Sequence, residues 1–165
     1  MKSFNWLYLV ALVALVVTIV HDVLLWLKRR KDFAVLRERV HQHTDRYAFL
    51  VDKKLRVKET NFYALNEQMP DDQPYRLGNV LHCQSGCESG LCGTGLACKT
   101  CPIRLVIRNA FQLKRNFDQV SATMHLYDEN RQVNTVDVQV DGEIVTMGNE
   151  TLMLVNVRKT GEKQQ

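Results

Sequence analysis

The sequence predicts an α+β protein: an antiparallel sheet of about five strands with helices on one face, preceded by one transmembrane helix. Two observations carry the fold. The first 27 residues are almost wholly apolar, and two strand-like runs then precede a helical middle that three alternating runs follow. Consecutive hairpins on either side of a helical crossover imply an antiparallel sheet. A third observation points to the site: all five cysteines fall between Cys83 and Cys101.

From Trp6 to Leu27 only Thr18, His21 and Asp22 interrupt the apolar run. As a helix this segment is about 33 Å long, enough for a bilayer core. A cleaved signal peptide has a shorter apolar region and a small-x-small cleavage site, neither of which fits here. Trp6, Tyr8 and Trp26 fall near the two ends, as interfacial aromatics do. Only Lys2 precedes the span, whereas Lys28-Arg29-Arg30-Lys31 follows it. By the positive-inside rule residues 28–165 are expected on the cytoplasmic side of the membrane. His21 and Asp22 sit close enough to the basic end to snorkel.

Residues 28–46 contain neither Gly nor Pro and continue as a linker helix. Phe33, Leu36, Val40, His43 and Tyr47 recur at spacings of three or four, a narrow apolar stripe. It pairs two chains in a homodimer or packs on its own domain, and two heptads do not decide between these.

Residues 47–160 form the domain, with 161–165 as a tail. Tyr47–Val51 and Leu55–Lys58 predict strands, joined at Asp52-Lys53-Lys54. Residues 60–67 suit a short helix with Thr60 as N-cap, and Pro70 and Pro74 mark a loop. Pro102 opens a longer helix, in which Ile103, Val106, Ile107, Ala110 and Phe111 share one face. Alternation at Val120–Leu126, at Val136–Val140 and around Leu152–Val155 predicts three further strands, with Asp128–Asn130 and Gly148-Asn149 as turns.

The formal charge of +4 is not spread evenly. Residues 1–39 hold seven Lys/Arg against three Asp/Glu, and residues 40–165 hold fifteen of each. A neutral domain lacks the basic face that nucleic acid requires, so lipid headgroups are the expected partner of Lys28–Lys31.

The cysteines are spaced Cys83-x3-Cys87-x4-Cys92-x5-Cys98-x2-Cys101, with Gly86, Gly90, Gly93 and Gly95 among them. Four thiolates can converge on a metal only if the backbone folds tightly around it, which glycine allows. Cys98 and Cys101 abut the helix at Pro102, whose positive end favours thiolates. A cytoplasmic site and an odd number of cysteines disfavour disulfides. Metal ligation and reversible thiol redox chemistry remain. Zinc and an iron–sulfur cluster both accept four cysteines, and the spacing leaves the two open.

The strand order, together with Leu77-Gly-Asn-Val-Leu-His-Cys83, Cys92-Gly-Thr-Gly and Cys98-Lys-Thr-Cys101, resembles a cysteine-rich subfamily of bacterial PAS domains. The resemblance covers roughly residues 45–160. It implies Cys83, Cys92, Cys98 and Cys101 as the site, with Cys87 spare or auxiliary. It gives no reason to expect flavin or haem. Leu81-His-Cys-Gln84 lacks the flavin-binding Asn-Cys-Arg-Phe pattern, and residues 102–117 hold no histidine. Where PAS domains feeding a fused effector often end in Asp-Ile-Thr, this chain has Arg158-Lys-Thr160. No effector sequence follows, so the expected output is to a separate signalling partner; a membrane-bound iron–sulfur electron carrier and a structural-zinc protein-docking domain are the alternatives.

No nucleophile–base pair, phosphate loop or paired carboxylate setting appears, and no enzyme is expected. Asp71-Asp72 belongs to the proline loop. Lys99 and Arg104 flank the cysteines as solvated residues or as tuners of thiolate charge. His82 and His125 are expected to be structural, and His41 and His43 to be solvated or seam residues.

Overall fold

The computed structural model describes residues 6–66 and 76–163. Lys2, the loop at Pro70 and Pro74 with Asp71-Asp72, and the last two residues of the expected tail lie outside them.

With no Gly or Pro to stop it, the apolar segment runs on into the linker as one helix, α1 (Trp6–His41). Its 36 residues reach about 54 Å. Every large apolar side chain from Tyr8 to Leu27 is at least 41% exposed, which water does not tolerate over such a length. The helix is long and apolar enough to span a membrane. His21 and Asp22 lie on this exposed stretch.

The chain continues through β1 (Tyr47–Val51), β2 (Val57–Thr60), α2 (Phe62–Leu65), α3 (Leu77–Val80), α4 (Gln84–Glu88), a 3-10 turn at Ala97–Lys99, and α5 (Pro102–Leu113). It finishes with the long strands β3 (Phe117–Tyr127), β4 (Val133–Met147) and β5 (Glu150–Lys163). All pairings are antiparallel and the strand order is β2-β1-β5-β4-β3. The architecture is α+β, as the hairpin pattern predicts. The Thr60 hydroxyl accepts the Phe62 N–H at 3.0 Å, but Thr60 is the last residue of β2, and the N-cap of the shorter helix is Asn61, without a side-chain cap bond. β5 extends through residues 161–163, which the sequence pattern assigns to a tail. Their backbone pairs with β4, Gly161 opposite Asp137 and Lys163 opposite Thr135, and a Gly-Glu-Lys run carries no hydrophobic alternation to mark it.

The helices occupy both faces of the sheet, not one. On the inner face Phe49, Val138, Val140, Met153 and Val155 pack with Leu77, Ile103 and Ile107. On the outer face Phe33, Leu36 and Val40 of α1 pack with Ala48, Leu50, Val145, Leu152 and Leu154. The outer contact is fastened by Arg39 to Glu143 at 2.6 Å, and by Glu59 to Arg37 at 3.5 Å and to His41 at 3.0 Å. The apolar stripe of the linker is thus taken up by its own sheet.

Candidate cysteine site

Each of the four expected cysteines is held by backbone. A bridge from Arg56 to Arg76, with Leu77 N–H on the Leu55 carbonyl at 3.0 Å, fixes the start of α3 beside β2. The chain then leaves α3 through His82, which is left-handed at φ 55°. Tyr127 N–H donates to the His82 carbonyl at 2.8 Å, and Cys83 bridges Leu126, so Cys83 is pinned to β3. Cys83 is the N-cap residue of α4, and Cys101 is that of α5 with Pro102 in its first turn. Cys98 lies in the 3-10 turn, buried at 4% exposure.

Cys92 depends on three residues that the cysteine spacing does not reveal. Its N–H donates to the Asn79 side-chain oxygen at 2.8 Å, and its carbonyl accepts from Arg76 at 2.7 Å. Its sulfur lies so close to Gly78 that a Cβ there would be 2.5 Å away. Asn79 also reaches the carbonyls of Gly86 and Gly90, tying the glycine loop together. Asn79 and Gly78 do lie in the Leu77–Cys83 run, so that motif was the available signal. Nothing in the sequence marks Arg76.

Cys83, Cys92, Cys98 and Cys101 all line one cavity of about 220 Å³, backed by Leu55, Leu81, Ile103, Ile107 and Met124. That is well beyond the ~30 Å³ a single water takes in the liquid. Cys87 is exposed and lines a different cleft, of about 1010 Å³, together with Glu88 and Tyr127. The five cysteines are free thiols, and they divide four and one.

Burial raises two of the four, Cys92 and Cys83. It pushes the Cys92 thiol up to about 11, with the Gly78 N–H opposing and the charges of Cys98, Cys83 and Cys101 adding to the rise. Burial also raises Cys83, against the N–H groups of Gly86 and Ser85, and Cys101 and Cys98 add to it. Neither N–H closes into a full cap hydrogen bond. The exposed Cys87 is raised as well, by partial burial first and then by Cys83 and Glu88. Bare, such thiols stay protonated at neutral pH, and their like charges oppose joint ionisation. A cationic centre among them reverses that balance, because a coordinated thiol is deprotonated outright.

Of the flanking cations, Arg104 lines the cavity and donates to the Cys98 carbonyl at 3.0 Å, and Lys99 is exposed. His125 borders the cavity and pairs with the Thr135 hydroxyl at 3.2 Å, while His82 lies 6.1 Å from the Phe62 ring. Among the described residues no group of three or more His, Cys, Asp or Glu side chains is poised to hold a single metal ion.

A comparison with protein-family models gives no match for this chain, and a search of curated proteins gives no matching sequence.

Proposed function

We propose that this protein is a membrane-anchored, PAS-type signalling module whose cysteine site holds an iron–sulfur cluster. The observation that carries the proposal is the convergence of Cys83, Cys92, Cys98 and Cys101 on one apolar-backed cavity of about 220 Å³, with Cys87 left out. A closed zinc site draws four sulfurs to about 2.3 Å from a single point and leaves no room between them. A cluster spreads its thiolates over several irons, so four cysteines that share a cavity without forming a single-ion site suit it. When bound, it supplies a one-electron redox change and a net charge that depends on oxidation state. The chain's own part is to exclude water from one side through Ile103, Ile107 and Met124, and to hold the loop through Asn79, Arg76 and Arg104.

The PAS assignment is supported by the strand order β2-β1-β5-β4-β3 around a helical crossover, with the cysteines gathered before α5. The signal passes to a separate partner protein, and the basic run at Lys28–Lys31 argues for a cytoplasmic domain on a bacterial inner membrane. The discriminating experiment is anaerobic purification of the full chain in detergent. Iron, zinc and acid-labile sulfide are assayed, and the visible spectrum is recorded before and after air. Brown colour with sulfide that bleaches in air is expected. Zinc without sulfide would leave a structural docking domain, and five free thiols without metal would leave thiol redox chemistry.

A further inference from the structure

The site accounts for the inner face of the sheet but not for one of its ends. α1 passes from its apolar stretch directly into the segment packed on the outer face, so the domain is fixed to the helix instead of hanging from a loose linker. The turn between β4 and β5 lies against the helix just past the span. A Cβ on Gly148 would be 3.1 Å from Arg29 Nε, and Gly148 has φ +60°, as that tight turn requires. Arg29 is two residues beyond Leu27, about 3 Å along a helix. The headgroup layer is several ångströms thick on each side, so the turn lies within it when α1 spans.

The register carries a second turn to the same end. β1 returns toward the membrane, and Val51 pairs with Met153, three residues from the start of β5. The loop after Val51 therefore ends on the bilayer side, about 10 Å further out than the β4–β5 turn. It presents Lys53 and Lys54, both exposed. The other charges at this end are largely paired. Asp52 holds Arg56 at 2.6 Å, and Glu150 holds Lys58 at 3.7 Å. Asp32 is the one further acid on the adjoining turn of α1, opposite Lys28, Arg29, Arg30 and Lys31.

We infer that this end of the sheet is a lipid-docking face, with Lys53 and Lys54 forming a second contact to anionic headgroups beyond the helix's own basic run. The inference rests on α1 crossing the bilayer. A polybasic face gains attraction for each lysine brought near an anionic leaflet. Two contacts on one rigid body set the tilt of the domain, and with it the height of the cysteine cavity above the membrane.

The test places the full chain in nanodiscs of phosphatidylcholine alone or of an equal mixture with phosphatidylglycerol. Lysines are acetylated with a water-soluble ester and rates are read residue by residue by mass spectrometry. Lys159, far along β5 from the turn, is the internal reference. Lys53 and Lys54 are expected to react about fivefold more slowly in the anionic discs than in neutral ones, with high salt removing the difference. Equal rates for Lys53 and Lys54 in both discs, with Lys28 and Lys31 protected, overturn the docking face and leave the anchor intact. A chain that does not enter discs, or whose Lys28 and Lys31 are no more protected on disc insertion than Lys159, overturns the anchor and the docking face together.

Discussion

A methyl group added at Gly78 separates the cysteine site from the stability of the fold. Gly78 sits in α3 with an ordinary helical backbone, so alanine there brings no conformational strain. Glycine to alanine in such a position is by itself stabilising by about 0.4–1 kcal/mol. The obstacle is steric. The new Cβ would stand 2.5 Å from the Cys92 sulfur and 3.1 Å from its Cβ, short of ordinary contact with the sulfur by about 0.9 Å. Overpacking of that kind costs about 1–3 kcal/mol when the neighbour cannot yield. The sulfur is the end of a side chain, so it can swing away, but doing so takes it out of the cavity it shares with Cys83, Cys98 and Cys101. Gly78→Ala is therefore expected to lower unfolding stability by no more than about 2 kcal/mol while removing most of the iron and sulfide of the proposed cluster. Gly86→Ala is the matched control, because its Cβ would meet Cys92 Cβ at 3.4 Å, an ordinary contact. The assay is iron and sulfide per chain beside denaturant unfolding in detergent, for both variants. Full cluster content in Gly78→Ala would refute the assignment of Cys92 as a ligand.

Three further predictions follow from other contacts. Cys87→Ser is expected to keep wild-type metal content, whereas Cys98→Ser, at the buried position, loses it; equal loss in both would return Cys87 to the site. Leu36→Ala removes a 7% exposed side chain from the contact between α1 and the outer face, and should cost about 2–5 kcal/mol in domain unfolding followed by circular dichroism. A cost under about 1 kcal/mol would mean that the helix end does not pack there. The third concerns Asp52. Burial pushes its carboxyl up, but the Arg56 N–H and guanidinium and the Lys54 N–H outweigh this and hold it below the usual range. A folded-state value below the unfolded one gives stability that is present above about pH 4 and lost as pH falls through the folded value. An acid unfolding series should show Asp52→Asn less stable than wild type at neutral pH, with the difference shrinking toward low pH. A difference that does not change with pH would contradict the ion pair.

The fold was legible where one residue pattern has one physical cause. The apolar run before Lys28 needs apolar surroundings, and the face shared by Ile103, Ile107 and Ala110 needs a core, so α1 and α5 follow from periodicity. The three long strands were legible only at their centres. β4 changes register between Asp137 and Val138, and β3 is irregular between Phe117 and Val120, which breaks strict alternation. The stripe at Phe33, Leu36 and Val40 states that something covers it but not what, because a second helix and the chain's own sheet present the same apolar surface. At the site, the density of the cysteines marked the region, while the division into four candidates and Cys87 came from the resemblance and not from the spacing. The residues that aim them are ordinary in sequence. Asn79 works through backbone bonds to Cys92, Gly86 and Gly90, and Arg76 through a single carbonyl, which only the folded loop brings together.

The central claim is that four of the five cysteines hold an iron–sulfur cluster. X-ray absorption of the anaerobically prepared full chain tests it most directly, measured at the iron and zinc edges for wild type and Cys87→Ser. Sulfur-only ligation of iron with an iron–iron vector, unchanged by the Cys87 substitution, is the predicted result. A zinc edge with one sulfur shell at about 2.3 Å, or no metal at either edge, would contradict it.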